Sequence, residues 1–316
     1  MQFPHWPMHA KPQDIAKYKG KYDLGWDSLR TIRHQNLIKL GLISADSKPV
    51  KDKSLPVWDK LTFDEKQMWV KKMEVYAAMV DNLDQNIGKL LKYLEETKQL
   101  DNTMIIFLSD NGAEDWDLSK MPIAINRSSG SVGTAGSNES YTKNWAQLSN
   151  MPLRSYKSTP YEGGLSSPFI AYYPKMFPAN QIQQGAVHII DILPTFIELT
   201  GINYPKNFNG ITTNTLQGKS FLNAIKTNNW TDPRMIFHEW AGYKAVWEGK
   251  WKALSNYPEN KWELYDLSND RTESNNLAKT HLEIVEKLAN AHKKWASESE
   301  VAEWNEALAE KTGFKK

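Results

Sequence analysis

Four residues in this sequence have types and settings that could act together on an anion. Asp110 and Asn111 are adjacent oxygen donors, one carboxylate and one amide carbonyl. That pair suits a hard divalent cation such as calcium or magnesium. Lys157 lies in Arg154-Ser155-Tyr156-Lys157-Ser158-Thr159-Pro160, just ahead of Glu162-Gly163-Gly164. A cation beside a glycine-rich turn can offset negative charge developing on a substrate oxygen. His5 stands in Pro4-His5-Trp6-Pro7, where the prolines hold an extended loop and the imidazole can donate to an anion or a leaving group. Each residue alone also has an ordinary reading: a turn after a strand, a solvated loop lysine, a surface histidine. His9, His34, His188 and His238 show no paired spacing for a histidine-rich metal site. There is no Gly-x-Ser-x-Gly elbow, no glycine-rich phosphate loop and no His-Glu-x-x-His helix.

The elements that must position these residues follow from the apolar pattern. Residues 103–109 form a continuous apolar run ending at Asp110-Asn111-Gly112, which predicts a strand buried on both faces. In open α/β sheets ligands collect beyond the carboxyl ends of strands, where Asp110 and Asn111 stand. Ahead of it, Thr62 and Glu65 predict a capping box for a long helix over residues 63–98. Its expected core stripe is Trp69, Met73, Tyr76, Val80, Leu83, Ile87, Leu90 and Leu94. A shorter helix is expected over residues 22–40, with Leu24, Leu29, Ile32, Leu37 and Leu40 as its apolar candidates.

Residues 115–150 are small and polar without periodicity and read as a long surface loop. A second strand is expected at 168–173, then a helix at 188–200 interrupted near Pro194 and stopped by Gly201. Beyond about residue 230 the runs 234–240, 244–247, 250–254 and 262–267 read as an antiparallel meander, closed by a helix at 282–295. The fold class is therefore α/β, a mixed sheet flanked by helices, followed by a small antiparallel-sheet subdomain. The expected division is 1–229 and 230–316.

Bulk composition narrows the function. The chain has 316 residues, and 39 Lys+Arg against 37 Asp+Glu leave a net charge of +2. With no block of like charge, neither nucleic acid nor a membrane surface is an expected partner. No apolar stretch approaches the ~18 residues a membrane span needs. Cysteine is absent, which excludes disulfides, thiolate ligands and any cofactor built from a cysteine side chain.

The order of these segments resembles the sulfatases, the arylsulfatase branch of the alkaline-phosphatase-like superfamily. The resemblance is carried by Phe3-Pro4-His5-Trp6-Pro7, Tyr76–Asp84, Ser109-Asp110-Asn111-Gly112-Ala113-Glu114, Lys157–Gly164, Asp191-Ile192-Leu193-Pro194-Thr195 and Glu263-Leu264-Tyr265-Asp266-Leu267. It implies that Asp110 and Asn111 are metal ligands, most simply for calcium. It implies that Lys157 contacts the sulfate and that His5 contacts the sulfate or protonates the leaving oxygen, while Asp81, Asp84 and Asp191 are structural; magnesium is the second choice of metal. The implied substrate is a sulfate ester, an aryl sulfate or a sulfated sugar, and the implied location of the parent protein is periplasmic or secreted.

One departure stands out. The family's nucleophile is a formylglycine made from a Cys-x-Pro-x-Arg segment, and the nearest imitation here, Asn150-Met151-Pro152-Leu153-Arg154, has asparagine at the reactive place. On the resemblance, the chain reads as the C-terminal portion of an incomplete alkaline-phosphatase-like domain. It would be inactive alone, would partner a separate N-terminal half, and would have strand edges and apolar surface left open. Two alternatives compete: a phosphate or phosphonate ester hydrolase of the same superfamily, and a non-catalytic binder of sulfated carbohydrate using exposed tryptophans.

Overall fold

A computed structural model describes residues 4–120, 129–183, 185–229 and 234–305. The helices α1 (Pro12–Ala16) and α2 (Gly25–Lys39) precede the longest element, α3 (Phe63–Glu96). Thr62 starts α3 as expected. Its hydroxyl accepts from the Glu65 amide at 3.3 Å, and the Glu65 carboxylate accepts from the Thr62 amide at 2.8 Å. The buried face of α3 is confined to its first half, where Val70, Met73, Val75, Ala78 and Met79 are buried. Val80 and Leu90 of the expected stripe are instead exposed. In α2 the expected apolar face holds only in part, with Leu29 packed on the core and Leu37 half-buried. Leu24, just ahead of it, Ile32 within it and Leu40, just after it, face solvent, while Trp26 is buried.

Trp26 anchors the first core by meeting Trp58 edge-on at 4.6 Å and Trp145 at 5.4 Å. Trp145 belongs to α4 (Thr142–Ser149), inside the segment expected to be a surface loop. That expectation is corrected: Tyr141, Trp145, Ala146 and Leu148 are core residues. Residues 121–128 of the same segment lie outside the described residues.

Strand β1 (Ile105–Leu108) pairs antiparallel with β2 (Phe169–Tyr172), which follows α5 (Glu162–Leu165). One face of the pair, through Ile106, Phe169 and Ala171, packs on Phe177, Phe221 and Leu222. The opposite face is open: Phe107, Ile170 and Tyr172 are 41, 59 and 41 % exposed. The expectation of a strand buried on both faces does not hold among the described residues.

Helix α6 (Ile192–Thr200) begins after a single 3₁₀ turn, so Pro194 falls in its first turn, where its missing N–H costs nothing. Gly201 ends α6 in the left-handed region at φ +68°. Its entry is held by Asp191, which accepts from the His188 amide and forms a two-armed pair with Arg234. A short ribbon, β3 (Asn207–Phe208) with β4 (Ile211–Thr212), and α7 (Leu222–Thr227) complete this part.

The meander is observed as expected. β5 (Met235–Trp240), β6 (Tyr243–Glu248), β7 (Trp251–Ser255) and β8 (Trp262–Asp266) form one antiparallel sheet in chain order. Helix α8 (Leu282–Glu298) closes it through Leu288, with Ile284 and Val285 beside it.

A buried ionic group joins this sheet to the turn at α5. Lys252 on β7 is fully inaccessible and reaches Glu162 at 3.0 Å and Glu273 at 2.8 Å. Glu273 also accepts from the Glu162 amide at 2.7 Å. Burial pushes the Glu273 carboxyl up to about 7, and Glu162 beside it adds to that push against the pull of Lys252. At Glu162 burial pushes up too, but Lys252 and Arg271 outweigh it and hold that carboxyl below its ordinary value.

The two carboxyls have opposite linkage signs. Glu273 binds its proton more tightly folded than unfolded, so its contribution is full below the ordinary 4.5 and is lost as pH rises through about 7. Urea unfolding at pH 5 and pH 8 should therefore show the wild type losing stability across this window. Glu273→Gln should flatten that loss, and an equal loss in both proteins would contradict this assignment.

Candidate functional site

Four backbone segments are locked together around the end of β1. The Gly112 amide donates to the Gly164 carbonyl at 3.0 Å, and the Lys157 amide donates to the Ala113 carbonyl at 3.0 Å. Asn150 ties these loops from the middle. Its Oδ1 accepts from the Ala113 amide at 2.9 Å, and its side-chain amide donates to the Ser155 and Gly163 carbonyls at 2.8 and 2.7 Å. A Cβ on Gly112 would sit 1.7 Å from the Gly163 carbonyl oxygen. Gly112→Ala should therefore cost about 1–3 kcal/mol from forced backbone displacement. Chemical denaturation measures this, and an unchanged midpoint would contradict the contact.

On this frame Lys157 and His5 come together, and the residue that joins them is Glu114. Its Oε2 lies 3.0 Å from Lys157 Nζ and 3.1 Å from His5 Nε2, and Nζ lies 3.2 Å from Nε2. The three side chains are graded in depth: Glu114 is 8 % exposed, Lys157 30 % and His5 41 %. An anion arriving from solvent therefore meets the imidazole and the ammonium before the carboxylate. Glu114 is fixed in turn through Oε1, which accepts from the Trp116 amide at 3.1 Å.

His5 is oriented through its other nitrogen, Nδ1, which is 2.8 Å from the Trp6 carbonyl. A carbonyl only accepts, so Nδ1 carries the proton and Nε2 faces the site. When neutral, Nε2 accepts from Lys157; when protonated, it donates to Glu114. Trp6 and Trp116 stack beside it at 6.4 Å and 18°. The Trp6 indole Nε1 is buried without a hydrogen-bond partner among the described residues. Asp115 follows Glu114 in the chain; burial first, and the Glu114 charge second, push its carboxyl up to about 6.

Asp110 is exposed and Asn111 half-buried, just past the end of β1. Neither side chain has a hydrogen bond or ion pair among the described residues, while the Ser109 hydroxyl donates to the Asn111 carbonyl at 2.8 Å. They fit a hard cation in donor type but supply two of the six to eight oxygens calcium takes. No group of three or more acidic or imidazole side chains able to hold a metal occurs among the described residues. The structure thus joins His5 to Lys157 directly. It links Asp110 and Asn111 to them only through the backbone, by way of the Ala113 carbonyl.

Two parts of this arrangement are not legible in the sequence. Glu114 has no spacing signal, because only the fold brings residues 5, 114 and 157 together. Asn150, the asparagine at a would-be nucleophile position, is a buttress whose donors and acceptor are all engaged.

The family model described as Sulfatase matches residues 2–202, and the one described as N-sulphoglucosamine sulphohydrolase, C-terminal, matches residues 156–298. An uncharacterized sulfatase of Schizosaccharomyces pombe is 37% identical over 301 residues, covering 90% of this chain and 54% of the relative. An arylsulfatase of Klebsiella aerogenes is 33% identical over 218 residues, covering 65% of this chain and 46% of the relative. The crystal structure of Ps i-CgsB in complex with k-i-k-neocarrahexaose shares the fold, with TM-score 0.59 at 24% identity over 93% of this chain and 48% of that one. The chain spans about half the length of the curated relatives it matches.

Proposed function

We propose a function from one premise: the chain belongs to the sulfatase family. It contributes the anion-binding and cation-binding part of a sulfate ester hydrolase. The observation that carries this reading is the convergence of His5 and Lys157 on buried Glu114, with their outer faces open to solvent. The substrate class is a sulfated sugar. The name of the matched C-terminal model and the saccharide in the Ps i-CgsB complex support that class. A site of action outside the cytoplasm belongs to the same proposal. No helix among the described residues is long and apolar enough to cross a membrane.

The chain's own groups divide the work. Lys157 Nζ binds a sulfate oxygen through a donor not taken by Glu114 and opposes the charge that builds there. His5, held by the Trp6 carbonyl, presents Nε2 to the ester. As imidazolium it transfers that proton to the departing oxygen, and Glu114 steadies the charged form before transfer. Glu114 also keeps both cations from turning away when no ligand is present. Asp110 and Asn111 would hold the calcium ion, which supplies a fixed positive charge that polarises a sulfate oxygen.

The nucleophile is not among these groups. The chain has no cysteine, and Asn150 is committed to three backbone contacts. The covalent step is therefore assigned to a residue other than these.

Calcium dependence tests the reading. The pure chain should bind 4-nitrocatechol sulfate at least about fivefold more tightly with calcium than with EGTA, a modest fraction of what one fixed charge gives at a site. Asp110→Ala should abolish that difference while leaving the calcium-free affinity unchanged. Equal affinities with and without calcium in the wild type would overturn the metal assignment.

A further inference from the structure

A second basic recess is lined by the chain that follows the His5 segment, from His9 to Pro12. Helix α1, the first half of α3 and residues 131–135 enclose a cleft of about 820 Å³, within the range of saccharide-sized sites. Lys11, Lys19 and Lys71 line it, together with His9. None of the three ammonium groups has an ion-pair or hydrogen-bond partner among the described residues.

The nearby acidic groups are already committed. Glu74, in the wall, accepts from the Gly20 amide at 2.9 Å. Asp14 and Asp81 on the packed helices both hold Lys17, at 3.1 and 2.7 Å, and Asp14 also accepts from Gln85. Lys72 is a separate case, paired with Glu139 at 2.8 Å. The cleft thus keeps an excess of positive charge, three ammonium groups against the single Glu74 carboxylate, in a chain whose charges otherwise nearly cancel. Ile15, Val132 and Met79 give it an apolar floor. That combination suits a sugar ring carrying an acidic substituent.

The cleft is rigidly tied to the first site. His9 follows His5 by four residues, so the two lie within about 14 Å along the chain. Met8 between them is in the core, 1% exposed, with its amide bonded to the Glu139 carbonyl at 3.1 Å. The Ala10 amide bonds to the Gly133 carbonyl at 3.1 Å, and His9 Nε2 lies 2.6 Å from the Ser137 carbonyl.

We propose that the cleft lined by Lys11, Lys19 and Lys71 is a subsite for a second sulfate or carboxylate on a sugar neighbouring the ester held at His5 and Lys157. This rests on the sulfate-ester reading of the first site. It makes the ligand a polyanionic saccharide rather than a singly sulfated one.

Three probes and three variants test it, with binding measured by calorimetry on the full chain. The probes are a heparin hexasaccharide, its chemically desulfated counterpart and inorganic sulfate. The variants are Lys11→Ala/Lys19→Ala/Lys71→Ala, Lys157→Ala, and the charge-matched control Lys279→Ala/Lys293→Ala/Lys294→Ala on the distant C-terminal part.

The cleft variant should weaken the heparin hexasaccharide at least tenfold and leave inorganic sulfate within twofold. The control should change neither by more than twofold, and the desulfated hexasaccharide should bind at least tenfold more weakly than heparin. Unchanged heparin affinity in the cleft variant, or an equal loss in the control, overturns the subsite. Loss in the cleft variant with no loss in Lys157→Ala removes the sulfate-ester reading of the first site and with it the pairing of the two sites, leaving a cleft that binds polyanions by itself.

Discussion

Replacing Lys252 by Met is expected to cost the fold about 3–5 kcal/mol, more than Gly112→Ala or Glu273→Gln. Methionine fills nearly the same volume, so the loss isolates the charge. Lys252 is fully inaccessible and stands between Glu162 and Glu273 at 3.0 and 2.8 Å. Without it Glu162 keeps only Arg271, at 3.4 Å and half exposed, as a counter-charge. The remaining buried carboxylate must then be ionised without compensation or take up a proton. The loss should accordingly shrink at pH 5 compared with pH 8, where both carboxyls are ionised. Guanidinium denaturation at the two pH values measures this. The effect extends to the site, because Glu162 begins the Glu162-Gly163-Gly164 turn on which Gly112 and Asn150 rest. A loss below about 1 kcal/mol would show that the group is not the joint between the C-terminal sheet and the rest of the molecule.

Lys157→Ala is expected to produce the largest loss of binding. A hydrogen bond to a charged group contributes about 1.5–3 kcal/mol, so affinity for an aryl sulfate should fall roughly 10- to 150-fold. The upper end is expected, because removing the ammonium leaves Glu114, 3.1 Å from His5, facing the incoming anion with one counter-charge fewer. The double variant Lys157→Ala/Glu114→Gln should recover part of the loss, since the repulsive charge goes with the attractive one. Lys157→Arg should retain most of the binding. If alanine and arginine behave alike, Lys157 does not contact the anion.

The legible parts of the fold are those written in local signals. The capping box at Thr62 and Glu65, the left-handed stop at Gly201 and the short alternating runs of the meander each encode an element within a few residues. What stays hidden depends on distant contacts. Helix α4 carries Thr142, Asn144 and Gln147 among its buried residues, so its sequence looks like a polar loop. Its burial is set by Trp145, whose indole donates to the Trp69 carbonyl across 76 positions. The apolar residues of α2 and of the second half of α3 mislead in the opposite sense: Ile32, Val80 and Leu90 have helical spacing, but nothing among the described residues covers them.

The site divides along the same line. His5, Lys157, Asp110 and Asn111 are visible because their types stand in unusual settings: between prolines, before a glycine pair, after an apolar run. Glu114 is not, because a lone glutamate near a turn means nothing until residues 5 and 157 arrive on either side of its Oε2.

Whether the chain binds a sulfate ester without cleaving it is decided by one titration of the pure wild-type protein with 4-nitrocatechol sulfate in the presence of calcium. Heat of binding and released catechol are followed in the same sample. Saturable binding is expected, displaced by inorganic sulfate, with no catechol released above the uncatalysed background. Catalytic release of catechol would show instead that the chain carries its own nucleophile. Absence of saturable binding would show that His5, Lys157 and Glu114 do not form an anion site, and either result contradicts the function proposed for them.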